Sequence, residues 1–206
     1  MHSPSQINEN RRVALAEAAI HILGTKGSRG LTHRAIDTFL ALPLGSTSNY
    51  FRTRQAILAA AFERICELDL IAIERAVKAA ETLPPGPQSA ASLLERSLER
   101  YFLDPVQLER QRARQEVSLI SANYPDLNRT VVGFRQNLRI SVGEIFSGLG
   151  IAVPDVAIQV LIGFADGMIF DRIVGGRIEP LDGEIYRRTF LAIIRGVLPG
   201  NGNKSR

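Results

Sequence analysis

The sequence has no tryptophan, one cysteine and three histidines among its 206 residues. A single cysteine cannot form a disulfide within the chain, which excludes a disulfide framework. The histidines, His2, His21 and His33, are not spaced like the ligands of a zinc site, and we predict neither a metal nor a cofactor. Cys66 lies among apolar residues of a predicted helix. We interpret it as a small packed side chain, with a redox sensor as the alternative.

Signals for strands, catalysis and export are equally scarce. Nearly every segment follows helical rather than alternating spacing, which predicts an all-α fold. No nucleophile paired with a base, no metal-ligand spacing and no phosphate-binding glycine loop stands out, so an enzyme is disfavoured. Residues 1–10 are polar and lack the apolar stretch of a signal peptide. We therefore expect a cytoplasmic protein that begins with a flexible arm.

The most informative feature that is present is a pair of short helical segments between residues 31 and 62. Thr32 is a good N-cap for the first, because its hydroxyl can accept a hydrogen bond from an amide of the first helical turn. Apolar residues then follow at helical spacing, as expected of a supporting helix. They are Ile36, Phe39 and Leu40.

A second short helix is predicted after a proline-containing turn. Proline disfavours helix at the residue before it but suits the first turn of a new one, so this helix begins near Pro43 or Leu44 and ends at about Phe51. Its outward positions carry hydrogen-bonding side chains, namely Ser46, Ser48, Asn49 and Tyr50. This is the layout of a helix-turn-helix motif, whose second helix enters the major groove of DNA. The alternative is a surface hairpin whose polar side chains face water.

The positive charge of the chain is concentrated at the same end. Residues 1–64 contain 8 Lys and Arg against 4 Asp and Glu, whereas residues 65–206 contain 17 of each. The whole formal net charge of +4 therefore resides in residues 1–64, which contain the predicted helix-turn-helix motif. An excess of positive charge on one domain is expected for phosphate binding, although a solvated basic face has the same composition.

From Arg12 to Glu67 the sequence resembles the N-terminal domain of TetR-family bacterial transcriptional regulators. The family pattern is an amphipathic first helix, a glycine, a threonine opening the second helix, a tight turn, a glycine-polar-aromatic recognition helix and a basic residue opening the fourth helix. Here these landmarks are RRVALAEAAIHILGTKG, Gly27, Leu31-Thr32, Ala41-Leu42-Pro43, Gly45 to Phe51 and Thr53-Arg54. The rest of the chain agrees in length and helical character.

The resemblance implies which side chains meet DNA. Thr32 and Arg34, in the first turn of the second helix, approach the duplex, and Arg34 is long enough to donate two hydrogen bonds to a guanine. Tyr50 and Arg54 match positions that contact phosphates, which set register rather than sequence. The positions turned toward base edges or thymine methyls are Leu44, Gly45, Ser46, Ser48 and Asn49.

Several residues depart from the family pattern. Pro43 stands where a serine or threonine often caps the recognition helix, and Ala41 replaces a usual glycine in the turn. Ser48 and Asn49 replace aromatic residues. These three departures indicate a different operator sequence. Asp37 takes a position that is usually small and apolar, and a buried carboxylate must find a partner or point outward.

The remaining sequence stays helical. We predict about nine helices in all, the first over Arg11 to Lys26, and no helix crosses the Pro-Pro-Gly-Pro segment at residues 84–87. The predicted division is a helix-turn-helix domain over residues 1–52, an effector-binding and dimerisation domain over residues 53–200 and a disordered tail over residues 201–206.

Two C-terminal segments predict a subunit interface. Residues 154–174 carry apolar side chains on nearly every face, which a helix tolerates only when it is buried on most sides. Asp166, Asp171 and Arg172 interrupt the run, so a membrane span is disfavoured. Packing against residues 182–198, and against the same pair from a second copy, predicts a four-helix bundle. A homodimer in turn implies a palindromic operator.

The resemblance also implies a pocket for a small-molecule effector. A ligand that fits one arrangement of the second domain better than another would shift the fourth helix and weaken operator binding, within the limit of its differential affinity. The candidate lining residues mix aromatic and polar groups, which suits a medium-sized, partly apolar ligand. They are Phe102, Arg112, Gln115, Glu116, Leu119, Asn123, Phe134, Asn137 and Phe164.

The favoured interpretation is a nucleoid-associated, ligand-responsive repressor that binds operator DNA as a homodimer and is released by its effector. The alternatives are a helical dimerisation module and an all-helical enzyme, neither of which binds DNA. A dimerisation module explains the last two helices but leaves the basic N-terminal hairpin without a role.

Overall fold

The computed structural model describes residues 4–175 and 182–198, and over these ranges the chain forms nine α-helices and no strand. The helices are α1 (Pro4–Gly30), α2 (His33–Phe39), α3 (Ser46–Tyr50), α4 (Arg54–Thr82), α5 (Pro87–Leu103), α6 (Pro105–Ser121), α7 (Pro125–Gly148), α8 (Asp155–Gly175) and α9 (Gly183–Val197). The predicted all-α fold is confirmed. The predicted tail, residues 201–206, lies outside the described residues. In the described part of the chain, no helix has both the length and the apolar character needed to span a membrane.

Local sequence signals set several helix ends. α4 ends at Thr82 and α5 begins at Pro87, so the Pro-Gly segment between them is the predicted break. Asp104 caps α6, because its Oδ1 accepts a hydrogen bond from the amide nitrogen of Val106 at 2.9 Å. Such signals act on the adjoining backbone and can therefore be read without knowledge of the tertiary structure.

The first helix differs from the prediction at its start. It begins at Pro4 and not near Arg11, so residues 4–10, which the sequence assigns to a flexible arm, are helical. Proline suits a first helical turn, and the backbone then stays helical, through Gly24, until Gly27. Gly27 has φ 67° and ψ −178°, which ends the regular helix there as predicted, and a separate turn continues to Gly30.

Internal contacts divide the chain into two compact units. The first unit contains residues 1–69 and 109–134, and the second contains residues 70–108 and 135–206. The predicted helix-turn-helix domain, residues 1–52, therefore packs together with the first part of α4, most of α6 and the start of α7.

The first unit encloses a core built from α1, α4, α6 and α7. Leu15 and Leu23 of α1 are fully buried in it, and Val117 of α6 joins them. Phe62 of α4 is also fully buried, and its ring meets the ring of Phe134 edge-on with centroids 5.8 Å apart. Burying one such large apolar side chain contributes about 1.5–3 kcal/mol, so this core can hold the short helices α2 and α3 in place.

In the second unit, α9 packs most extensively on α5. The apolar stripe of α9 is buried at Tyr186, Phe190 and Ile194. The ring of Phe102 in α5 lies 5.7 Å from that of Tyr186, and the ring of Phe164 in α8 meets Phe190 edge-on at 5.5 Å. The sequence predicts that this stripe packs on α8 and on a second copy. Within the described residues, α5 as well as α8 packs on it. The packing of these helices against a second copy stays a prediction.

Candidate nucleic-acid interface

The supporting helix α2 is capped as predicted. Thr32 Oγ1 accepts a hydrogen bond from the amide nitrogen of Ala35 at 3.0 Å. Ile36 is fully buried, whereas Phe39 is 51% exposed, so the predicted apolar face of α2 turns inward only in part. Phe39 instead stacks on His21 of α1, with ring centroids 4.6 Å apart.

The turn between α2 and α3 contains two residues with a left-handed backbone. Ala41 has φ 51° and Gly45 has φ 90°. Glycine adopts this conformation readily, whereas an L-residue such as alanine is destabilised there by about 1–2 kcal/mol. Because Gly45 departs from helical geometry, α3 begins at Ser46. The predicted start near Pro43 or Leu44 is therefore wrong.

α3 presents polar side chains to solvent. Among the predicted base-reading positions, Leu44, Gly45, Ser48 and Asn49 are exposed and Ser46 is half-buried. Ser46 Oγ donates a hydrogen bond to the carbonyl oxygen of Pro43 at 2.6 Å, which engages its hydroxyl proton. Ser48 and Asn49 keep their full hydrogen-bonding capacity at the surface, as a base-reading role requires.

Asp37 is buried and its carboxylate holds the start of α3. Oδ1 accepts hydrogen bonds from the amide nitrogen of Thr47 at 2.8 Å and from Thr47 Oγ1 at 2.6 Å, and Oδ2 accepts from the amide nitrogen of Gly45 at 2.7 Å. Burial by itself raises the pKa of Asp37, but these hydrogen bonds and nearby His33 together hold the pKa below its ordinary value. The carboxylate is therefore ionised and partnered at neutral pH.

The other end of α3 is also tied to α2. His33 Nε2 lies 2.7 Å from the carbonyl oxygen of Phe51, and because a carbonyl oxygen only accepts, Nε2 carries the proton. The guanidinium of Arg12 lies 4.8 Å from the centre of the Phe51 ring, and its Nη1 donates to the carbonyl oxygen of Tyr50 at 3.4 Å. α3 is thus fixed at both ends.

The two arginines predicted to contact DNA have different surroundings. Arg34 is exposed in the first turn of α2 and makes no hydrogen bond within the described residues. Arg54 is half-buried, and its Nη2 donates to the carbonyl oxygen of Ser28 at 2.7 Å. The amide nitrogen of Ser28 in turn donates to Glu116 Oε2 at 3.0 Å. Arg54 therefore holds the end of α1 in addition to any contact it makes with a ligand.

The sequence pattern does not indicate that Asp37, Thr47 and His33 support α3. Asp37 stands out as a carboxylate at a usually apolar position, but its partner is a hydroxyl ten residues later whose burial depends on the folded turn. One sequence signal for this contact exists: Asp37 and Thr47 are both polar, and each lies on the inward face of its helix, α2 and α3 respectively.

The candidate effector residues are distributed over both compact units. The first unit contains Arg112, Gln115, Glu116, Leu119, Asn123 and Phe134, and the second contains Phe102, Asn137 and Phe164. Within the first unit, Arg112 Nη1 donates to the carbonyl oxygen of Gly24 at 3.4 Å, and Glu116 accepts from Ser28 as described above. These two polar side chains therefore support α1. Leu119 is 75% exposed.

Charged residues join α4 to α6 inside the first unit. Asp69 is buried, and its carboxylate oxygens lie 3.2 Å from Arg110 Nη2 and 3.7 Å from Arg114 Nη1. Burial, followed by the neighbouring negative charge of Asp69, raises the pKa of the Cys66 thiol to about 12. A redox sensor reacts through its thiolate, so the packed interpretation of Cys66 is favoured.

An N-terminal helix-turn-helix followed by a larger helical region is the architecture of a DNA-binding transcriptional regulator. The family profile described as tetracyclin repressor-like, C-terminal domain, matches residues 85–200. The chain belongs to this family, the TetR family of transcriptional regulators, in agreement with the N-terminal sequence pattern. Membership of a family of regulators also places the chain outside the enzymes.

Solved structures share the fold over nearly the whole chain. The multidrug binding protein EbrR in complex with imidazole is 22% identical, and the alignment covers 95% of this chain and 98% of EbrR with a TM-score of 0.65. A TetR-family member from Streptomyces coelicolor A3 is 22% identical, with coverage of 92% and 98% and a TM-score of 0.66. A TetR-family regulator from Mesorhizobium loti is 14% identical, with coverage of 95% and 97% and a TM-score of 0.74. No curated protein matches the sequence significantly.

Proposed function

We propose that this regulator is a repressor that binds palindromic operator DNA as a homodimer and is released by a small-molecule effector. The observation that carries the proposal is the polar surface of α3. Ser48 and Asn49 are exposed on a short helix whose two ends are fixed to the rest of the motif. A rigid helix with outward hydrogen-bonding side chains suits the major groove, where each base pair presents its own donor and acceptor pattern.

The proposed division of labour follows the exposure of each residue. Thr32, the N-cap of α2, and Arg34, in its first turn, are both exposed. Arg34 would reach a base, and Thr32 would approach the DNA backbone. Tyr50 and Arg54 contact phosphates. We assign DNA binding to residues 1–52, and effector binding and dimerisation to residues 53–200.

An exposed apolar stripe on α8 supports the proposed dimer. Val156, Val160, Phe170 and Val174 are each about half or more exposed. Gly163 and Gly167 lie on the same stripe, and nothing in the described residues lies within 4 Å of a Cβ added at either. These six positions recur at alternating spacings of four and three, the pattern of a helix that packs along a partner helix. A second copy of α8 would cover this stripe.

Contacts of α6 with α1 support a response to an effector. Arg112 donates to the carbonyl oxygen of Gly24, and Glu116 accepts from the amide nitrogen of Ser28. The carbonyl oxygen of Ser28 in turn accepts a hydrogen bond from Arg54 of α4. A ligand that displaces α6 or α4 would therefore alter the support of the DNA-binding motif. EbrR has been solved with imidazole, ethidium, proflavin and malachite green. By analogy of fold, we propose a medium-sized, partly apolar effector for this chain.

A gel-shift assay with the full chain tests the proposal. The probe is the intergenic DNA beside its own coding sequence, titrated at several salt concentrations, with a shuffled duplex of equal length as the control. We expect preferential binding of the intergenic probe, with affinity that falls steeply as salt rises because phosphates are neutralised. Equal and salt-insensitive binding to both duplexes, or none, would support a dimerisation module without DNA contact.

A further inference from the structure

α3 is too short to maintain its own conformation. It comprises five residues, Ser46–Tyr50, and its N-cap, Gly45, provides no side-chain hydrogen bond. Helices shorter than about 12 residues are marginal in water, because the first turn fixes several dihedral angles for a single hydrogen bond. The conformation of α3 must therefore be imposed by groups outside the helix.

Asp37 of α2 supplies the missing cap. Its two carboxylate oxygens accept three hydrogen bonds, two from the backbone amides of Gly45 and Thr47 and one from the Thr47 hydroxyl. These amides belong to the first turn, where a helix has unsatisfied donors and where negative charge is favourable. Asp37 is 1% exposed and Thr47 is fully buried, so water does not compete for these bonds.

The two bonded residues flank Ser46 and directly precede the other outward side chains of α3. Ser46 lies between Gly45 and Thr47, and Ser48 and Asn49 follow directly. Fixing the amides on either side of Ser46 fixes the rotation of the helix about its axis, and therefore the direction in which Ser48 and Asn49 point. Asp37 itself is buried and does not reach a ligand in the groove.

We propose that Asp37 is a positioning residue for operator recognition, which aligns α3 through Gly45 and Thr47 so that the outward side chains meet base edges. The inference rests on the proposed DNA-binding function. Hydrogen bonds to bases require alignment within about 0.5 Å, whereas attraction between arginines and phosphates changes slowly with distance. Loss of Asp37 therefore reduces discrimination between sequences far more than it reduces attraction to DNA.

A group that serves stability alone has a different signature. If Asp37 only contributes to folding, its removal lowers the fraction of folded protein, and binding to specific and unrelated DNA declines by one common factor. The ratio of the two affinities then stays constant. This ratio, measured at a temperature where the variant is folded, separates the two roles.

The experiment begins with binding-site selection by the full wild-type chain from a pool of randomised duplexes. Affinities are then measured for the selected duplex and for a shuffled one, over a series of salt concentrations. Asp37→Asn keeps the shape of the side chain but replaces one accepting oxygen by a donor. Thr47→Val removes only the hydroxyl bond, and Thr47→Ser restores it. Asp126→Asn removes an exposed carboxylate from the same compact unit and controls for the change in charge.

We expect Asp37→Asn to lower the ratio of specific to unrelated affinity about tenfold or more, because a buried donor loses its partner, while the salt dependence stays unchanged. Thr47→Val should lower the ratio by a smaller factor, and Thr47→Ser and Asp126→Asn should preserve it. Hydrogen exchange at the amides of Gly45 and Thr47 should accelerate in Asp37→Asn.

A folded Asp37→Asn variant with the wild-type ratio would overturn the inference, as would equal losses on both duplexes. If Asp37→Asn fails to fold, Thr47→Val decides, since it keeps the carboxylate and both backbone bonds. A Thr47→Val variant that discriminates like wild type then overturns the inference. Failure of the wild-type chain to select any sequence is a different result, which refutes the proposed DNA-binding function itself.

Discussion

The guanidinium of Arg54 donates a 2.7 Å hydrogen bond to the carbonyl oxygen of Ser28, and so joins the first turn of α4 to the end of α1. The backbone amide nitrogen of Ser28, in the preceding peptide group, donates to Oε2 of Glu116 in α6. A residue that the sequence predicts as a phosphate contact therefore has a structural role as well. The phosphate contact depends on the positive charge of Arg54, whereas the hydrogen bond to Ser28 depends on the shape of its guanidinium. Substitutions that keep one of these properties can therefore separate the two roles.

Replacing Arg54 tests both roles. Arg54→Ala should weaken binding to every duplex by a similar factor and reduce the salt slope by about one, because one phosphate contact is lost. It should also lower the free energy of unfolding by about 1 kcal/mol, since the carbonyl of Ser28 loses its partner. Arg54→Lys retains the charge, so its salt slope should be close to that of wild type. It lacks the guanidinium, so it should recover less of the free energy of unfolding that Arg54→Ala loses. Binding and urea denaturation of the three proteins check this, and a selective loss on one sequence would contradict it.

Arg34 should act on sequence choice. Because its guanidinium is exposed and unengaged within the described residues, Arg34→Ala should leave stability unchanged and relax preference at one position of each half-site, at about 1–3 kcal/mol per contact. Arg34→Lys keeps the charge but lacks the two-pronged geometry, and should relax the same position. The control is Arg129→Ala, which removes an exposed arginine of α7. Unchanged discrimination in binding-site selection by Arg34→Ala would remove it from the base-reading residues.

Gly24 should tolerate no side chain. A Cβ added there would lie 2.5 Å from the backbone carbonyl oxygen of Glu109 in α6, and a backbone atom cannot rotate away. Gly24→Ala should therefore lower the free energy of unfolding by about 1–3 kcal/mol, as overpacking does. Gly133→Ala is the matched control, because nothing lies within 4 Å of its added Cβ. We expect it to be neutral or slightly stabilising in urea denaturation, and equal destabilisation by both changes would disprove close packing at Gly24.

Stability in acid should depend on Asp37. Its pKa in the folded protein lies below the ordinary value of 3.8, so the ionised side chain stabilises the fold above that pH. This contribution is lost as the pH falls through the lowered pKa, because the carboxylate must then be protonated. The difference in unfolding free energy between wild type and Asp37→Asn should be largest near neutral pH and shrink below about pH 4. Denaturation curves over a pH series measure it, and a difference that grows in acid would have the wrong sign.

The α8 stripe should control assembly. Val160→Glu places a charge on a residue that is 51% exposed within one copy and lies on the proposed interface. We expect a shift from dimer to monomer in sedimentation equilibrium, together with weaker binding to a palindromic duplex. Val132→Glu is the control, since Val132 is similarly exposed, at 53%, on α7. A Val160→Glu protein that remains dimeric would exclude this stripe as the interface.

The sequence predicts those features that depend on neighbouring residues. Thr32 caps the helix that follows it, and Gly27 ends the first regular helix, because each acts on backbone groups within a few residues. The start of α3 is mispredicted because proline permits a helical turn at residue 43, while the left-handed conformation of Gly45 forbids its continuation.

Features that join distant segments are not predicted. The carboxylate of Asp37 needs a partner, but only the folded turn brings Thr47 to it. The polar residues Arg112 and Glu116 suggest a ligand site, and the fold directs both toward α1. In each case the residue type shows that the side chain needs a hydrogen-bond partner. The partner itself lies between 10 and 88 residues away in the sequence, so only the folded structure identifies it.

Because α3 derives its conformation from buried groups of α2, its exposed side chains carry little of the folding free energy. Under the proposed function, we therefore expect substitutions at Ser48 and Asn49 to change which DNA is bound while leaving the architecture intact. This separation gives the protein room to acquire new targets during evolution, and it makes the same two positions the natural starting point for engineering altered specificity.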